Sequence, residues 1–230
     1  MQKLNVLNED NHVIVVEKLV NVPSQADKTG DIDMLTIIKS YLKEKYHKPG
    51  EVYLGLVHRL DRPVGGVMVF AKTSKAAARL SEQVRVKEFK KKYLVIVDGK
   101  MEQDKGELED YLLKNEKRNV SKVVKEGTKG AKLAKLDYEV LKYQEEINLS
   151  VLRVYLHTGR HHQIRVQFAS RKHSLYGDQK YGERGRGKQI ALWAYELSFI
   201  HPITKEEMNF RVLPKIEGSW KILEDIVEKI

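Results

Sequence analysis

An α+β fold around a mostly antiparallel sheet is what this sequence predicts, on three observations. Apolar runs of strand length recur along the chain, and a few segments instead space their apolar residues as one face of a helix. The two kinds do not alternate in the regular order of a parallel βαβ sheet. At 230 residues, 41% hydrophobic and 8% aromatic, the chain is long enough to bury a sizeable core and short enough for one compact domain spanning 1–230.

Taken in order, Leu4 to Glu17 reads as two short strands joined by a polar turn at Asn8 to Asn11, and Lys18 to Gly30 as a loop. Asp31 to Tyr46 carries Leu35, Ile38 and Leu42 on one helical face, with Ile37 and Tyr41 alongside, and Pro49-Gly50 ends it. Val52 to Leu60 and Gly66 to Ala71 read as strands separated by a sharp turn, Asp61-Arg62-Pro63-Val64-Gly65, so that Asp61 sits where a strand meets a loop. Thr73-Ser74 caps a helix through Ala76, Leu80 and Val84. Strand character returns at Lys90 to Val97, Glu107 to Leu113, Leu136 to Lys142 and Leu149 to Leu156, with a Lys-rich connection between the second and third of these. Gly159 to Lys172 reads as helical. Two more strands, Gln189 to Phe199 and Glu207 to Leu213, precede a helix capped near Ser219 and running to the end.

Composition narrows the chemistry. There are 42 Lys and Arg against 32 Asp and Glu, a net charge of +10 and a pI near 9.4, which favours a polyanionic partner. With no cysteine, disulfides, thiolate nucleophiles, Cys-ligated zinc and iron-sulfur clusters are excluded. No apolar stretch has the length of a membrane span, so a cytoplasmic protein is expected.

Locally, no single residue declares a function. Asp61 before a proline and two glycines has the composition of a turn residue, and Tyr93 that of a strand aromatic. His157, Arg160, His161, His162 and Arg165 are denser, and a metal site is one reading of the histidines. Thr158-Gly159 interrupts the helix such a site needs, however, and the flanking arginines repel a cation, so phosphate and base contacts suit these residues better.

Four segments follow one another in order: His58-Arg59-Leu60-Asp61 with Gly66 and Ala71-Lys72-Thr73; Lys92-Tyr93; Thr158-Gly159-Arg160 with His162-Gln163-Ile164-Arg165-Val166; and Gly177-Asp178 with Tyr181-Gly182. Taken together, they resemble the motifs of RluA-type RNA pseudouridine synthases, the first being similar to the signature around that family's catalytic aspartate and the others to its second, third and fourth motifs. With the N-terminal strands and His201-Pro202, the resemblance covers nearly the whole chain, and it begins without the small N-terminal RNA-binding domain that many members carry. The sequence departs from the pattern at Val64-Gly65, where Thr-Ser is usual, at His161 for Thr, at Gln167 for His, and at Lys18-Leu19 for Lys-Pro.

The resemblance implies the pseudouridine synthase fold, a central mostly antiparallel or mixed sheet flanked by helices and loops with an active-site cleft across it. It implies isomerisation of uridine to pseudouridine in ribosomal or transfer RNA, with no cofactor, since the reaction has no net redox change. Asp61 takes the catalytic role, by attack on the sugar, by attack on the ring or through a glycal, and the sequence does not choose among these. Arg165 is its ion-pair partner, Tyr93 stacks on the base, and Arg59 fills the gap left by the flipped uridine. His58, Arg160, His162 and Gln163, with Arg184 and Arg186 of the loop Gly182 to Lys188, are expected to contact RNA. So is the basic tract Lys114 to Lys135, which holds eight Lys and Arg and two Glu. A monomer with an RNA partner, no metal and no membrane is expected. Two other readings remain: a non-catalytic RNA-binding protein retaining the fold, and a His-dependent metal hydrolase of nucleic acid.

Overall fold

In chain order the elements of this computed structural model, which describes residues 4–182 and 187–230, are β1 (Asn5–Glu9), β2 (Val13–Lys18), α1 (Met34–Lys45), β3 (Gly55–Leu56), β4 (Gly65–Ala71) and α2 (Ser74–Arg85). There follow β5 (Lys90–Asp98), β6 (Lys105–Asn115), β7 (Val120–Val124), β8 (Lys132–Gln144), β9 (Leu149–Leu156), α3 (Gln163–Ala169), β10 (Leu192–Ile200) and β11 (Glu207–Arg211). Short 3-10 helices occupy Glu145–Ile147, Gly218–Leu223 and Val227–Lys229. The chain divides into two compact units, one formed by residues up to Lys90 with Ala194–Leu213, the other by Lys91–Trp193 with Pro214–Ile230. The architecture is α+β, with most strand pairs antiparallel.

In the first unit the strand order is β1-β2-β4-β10, with β11 on β10 and β3 on β4. Val13, Val15, Val67, Val69 and Ala71 of β2 and β4 present one face to Ala76 and Leu80 of α2, with Leu197 and Phe199 of β10 completing the core. Helix α2 starts at Thr73, whose hydroxyl accepts the Ala76 N–H at 3.2 Å, and α1 starts at Asp33, whose carboxylate accepts from Leu35 and Thr36. Gly66 has φ +125°, and a Cβ there would lie 2.1 Å from the Ala194 carbonyl oxygen of neighbouring β10. Gly66→Ala is therefore expected to cost about 2 kcal/mol or more, measurable as a lowered thermal midpoint.

The sequence predicts a strand over Val52 to Leu60, but of these residues only Gly55 and Leu56 pair with β4, at Ala71 and Phe70. Side chains take the backbone partners a longer strand needs. The Val69 N–H of β4 donates to His58 Nε2 at 3.1 Å, and Ser24 Oγ serves both the N–H and the carbonyl of Leu60.

The second unit is an antiparallel run β5-β9-β8-β6-β7. Strand β7 lies inside the tract read as a Lys-rich connection. Its Val123 packs with Leu112, Ala134 and Val166 of α3, while Lys122 stays exposed. The expected C-terminal helix is instead 3-10. Trp220, Ile222, Leu223, Ile226 and Ile230 are its buried residues.

Candidate active-site residues

In the first unit Asp61 opens a turn closed by the Val64 N–H donating to its carbonyl at 2.9 Å, and its side chain is half-buried. Both flanks of this turn are fixed from below. Leu60, on one side, is tied to the buried Ser24 hydroxyl. On the other, the fully buried Lys18 donates its Nζ protons to the carbonyls of Val64 at 2.6 Å, Arg62 at 3.0 Å and Leu19 at 3.1 Å. Three acceptors use all three protons of an ammonium, so this is the geometry of the charged form. Burial nevertheless lowers the Lys18 pKa to about 7, with the Asp61 carboxylate pulling it back up and the Arg62 guanidinium lowering it further. The Arg62 side chain turns to Thr29, at 2.9 Å, and to Asp31. At the departure Val64-Gly65, the hydrogen bond to Lys18 comes from the Val64 backbone, so a side-chain hydroxyl there is not what holds the turn.

Lys18→Met leaves those carbonyls without the donor, and each one that stays dry costs about 1–3 kcal/mol. We expect denaturant unfolding to show that loss at neutral pH. Since the folded pKa, about 7, lies below the ordinary 10.5, the unfolded chain holds more protons between those values. The burden of burying the charge is thus full below pH 7 and lifts as pH rises toward 10.5, so wild type should gain on Lys18→Met over that window.

Of the neighbouring motif residues, His58 turns its ring against Phe89 at 5.1 Å, and Arg59 is exposed with no hydrogen bond or ion pair among the described residues. Lys72 is tied to Glu9 Oε1 at 2.7 Å. Although burial by itself would raise the Glu9 pKa, hydrogen bonds from Lys45, Lys72 and Tyr46 bring it down to about 2.

In the second unit Tyr93 is buried in β5 opposite Val154 of β9. Arg165, in α3 and 4% exposed, makes a bidentate pair with Asp178, Nε to Oδ2 at 2.7 Å and Nη2 to Oδ1 at 2.6 Å. Asp178 Oδ1 also accepts the N–H groups of Lys180 and Tyr181, and the guanidinium lies 5.3 Å from the Tyr181 ring centre. Gly177 holds this corner tight: at φ +74°, a Cβ would come within 2.1 Å of the Gln189 carbonyl oxygen.

Gln163 folds the loop before α3. Its buried amide accepts from the Thr158 hydroxyl at 2.7 Å and the Arg160 N–H at 3.0 Å, and donates to the Lys135 carbonyl at 3.1 Å. His162, immediately before Gln163, has φ 54°, so the helix expected from Gly159 begins only at Gln163. The Arg160 Nε donates to the Leu133 carbonyl, and the side chain is exposed. Arg184 and Arg186 lie outside the described residues.

The histidines serve separate partners. His157 Nε2 meets Asp137 at 2.6 Å, while His161 bridges Ser121 Oγ and Asn119 Oδ1. His162 stacks on His161 at 3.7 Å and meets the Tyr181 hydroxyl at 2.8 Å. Burial, then the nearby charges of Arg165, His161, Lys180 and Lys114, lower the His162 pKa to about 2, so its ring is neutral at physiological pH. Among the described residues no three His, Asp or Glu side chains converge as a metal set, and no helix is long and apolar enough to cross a membrane.

Two residues at the centre of these networks were not singled out as site residues from the sequence. Asp178 was visible only as part of a Gly-Asp pair, and Lys18 only as the first half of an altered Lys-Pro. An acid at the end of a β-turn and a lysine that closes strand β2 after Glu17 carry no local sign of complete burial.

Residues 12–170 match the family described as RNA pseudouridylate synthase. An uncharacterized RNA pseudouridine synthase of Aquifex aeolicus is 35% identical over 91% of this chain and 69% of its own length. The dual-specificity RNA pseudouridine synthase RluA of Pasteurella multocida is 32% identical over 92% of this chain and 93% of its own. The chain spans about two thirds of the length of several relatives it matches. Human RNA pseudouridylate synthase domain containing 4 superposes with a TM-score of 0.77 at 21% identity, over 92% of this chain and 89% of that one, which establishes the shared fold.

Proposed function

Because the chain belongs to the RNA pseudouridylate synthase family, and so to the isomerases, we propose that it converts specific uridines to pseudouridine in ribosomal or transfer RNA, with Asp61 as the catalytic carboxylate. The reaction breaks the bond between the sugar C1′ and the base N1, turns the uracil, and joins C1′ to C5. The proton on C5 leaves and N1 gains one, so atoms and electrons balance without an oxidant or reductant. A carboxylate serves this sequence by attacking C1′, by attacking the ring, or by assisting a glycal.

The observation that carries the reading is the turn at Asp61, clamped by Ser24 on one flank and by Lys18 on the other. A reacting group must be held to within a fraction of an ångström to gain from proximity, and a backbone tied on both sides meets that demand. Arg165, permanently charged, is the proposed ion-pair partner that keeps the carboxylate ionised once water is excluded. Tyr93 is proposed to stack on the target base, and Arg59 to occupy the place it leaves. Arg160, His162, Gln163, Arg184 and Arg186 stand as proposed RNA contacts. For His162 and Gln163 the contact falls to neutral donors and acceptors rather than to charge.

Mapping pseudouridine at nucleotide resolution in RNA from cells with and without the chain tests this reading and identifies the substrate. Loss of defined sites, restored when purified chain is incubated with the unmodified RNA, is the expected result. An unchanged map would overturn it.

A further inference from the structure

Among the described residues, Lys91 is a motif neighbour whose surroundings call for a ligand. It stands two residues before Tyr93 in β5, and strand alternation therefore turns both side chains to one face, about 7 Å apart. The side chain is half-buried, and its Nζ lies 3.6 Å from where a Cβ would stand at Gly159, in the loop Thr158-Gly159-Arg160. The Lys91 side chain makes no hydrogen bond, ion pair or ring contact among the described residues. Other lysines withdrawn from water are compensated: Lys18 by three carbonyls, Lys72 by Glu9 and Lys142 by Asp225. Burial alone lowers the Lys91 pKa, with no carboxylate to offset it.

A cation taken partly out of water and left unpaired costs free energy that a bound anion recovers. A second donor is close at hand, since the exposed Gly159 N–H has no acceptor among the described residues. The absence of a side chain at 159 leaves that approach open. Resting on the reading above, we propose that Lys91 and the Gly159 N–H form a receptor for an RNA backbone phosphate, next to the base held at Tyr93. The spacing along β5 is comparable to the span of one nucleotide, so a single residue of RNA reaches both. The site fixes the sugar-phosphate while the base turns, a task distinct from the carboxylate chemistry.

The test measures binding of a labelled single-stranded oligouridylate about a dozen residues long by fluorescence anisotropy across a series of salt concentrations. Lys91→Gln is compared with Lys91→Arg and with Lys75→Gln, which removes an equal charge from an exposed position of α2. Lys91→Gln is expected to weaken binding about tenfold and to lower the slope of log affinity against log salt by about 0.7, the signature of one lost phosphate contact to a single strand. Lys91→Arg should stay within about threefold of wild type and Lys75→Gln within about twofold. Lys91→Gln also relieves a buried charge, so its thermal midpoint should not fall. If Lys91→Gln and Lys75→Gln share one affinity and one salt slope, the receptor is overturned while the RNA reading stands. A wild-type chain without affinity for oligouridylate, transfer RNA or ribosomal RNA overturns both. Displacement of the oligonucleotide by about 1 mM inorganic phosphate at constant ionic strength assigns the site to free phosphate and overturns the backbone assignment.

Discussion

Asp61→Asn is expected to abolish pseudouridine formation, lowering the single-turnover rate by roughly 10⁴-fold or more, while RNA affinity stays within about threefold. The substitution keeps shape and removes the charge, so it separates chemistry from folding. Its structural consequence is indirect. The Asp61 carboxylate favours the ammonium of Lys18, and its loss therefore pushes the Lys18 pKa below about 7. The clamp beneath the turn weakens slightly, and a fall of about 1 kcal/mol in stability at neutral pH is the expected result by denaturant unfolding. A variant that binds RNA, unfolds near the wild-type midpoint and retains the wild-type rate would falsify the role assigned to Asp61.

Much of the fold was legible because its signals are local. Val13 to Val16 and Val67 to Ala71 are strand-like wherever they occur, and Thr73 and Asp33 cap helices through their own side chains. What failed depended on distant partners. Val52 to Leu60 reads as a strand until His58 takes the Val69 N–H and Ser24 takes Leu60, two contacts that no periodicity encodes. Strand β7 was hidden because lysines dominate its surroundings, although its Val123 packs on Val166 of α3 together with Leu112 and Ala134. The site shows the same division. Asp61, read locally, is a turn residue, and a turn residue is what it is structurally, with the Val64 N–H on its carbonyl. Its proposed role rested on the order of motifs across the chain. Asp178 and Lys18 could not be ranked, since burial of a charge is decided by the fold that surrounds it.

Arg165→Met poses the other large test, because the same guanidinium is engaged by Asp178 and proposed to serve Asp61. Asp178 is 1% exposed, and removing its bidentate partner strands a carboxylate with, among the described residues, the N–H groups of Lys180 and Tyr181. Breaking a buried pair in this way costs about 3–5 kcal/mol, so the variant should unfold at clearly lower denaturant. Its activity should also fall, by about 100-fold or more in single turnover, as the carboxylate loses its fixed positive partner. Stability loss alone would produce a similar fall by depleting folded enzyme, and a second substitution distinguishes the two. Adding Asp178→Asn keeps an oxygen for the two N–H groups while removing the stranded charge, so the double variant should recover most of the lost stability. If Arg165 acts on Asp61, activity per folded molecule stays low in the double variant. If Arg165 serves only to hold Asp178 and the α3 corner, activity returns with the fold, and the pairing with Asp61 is wrong.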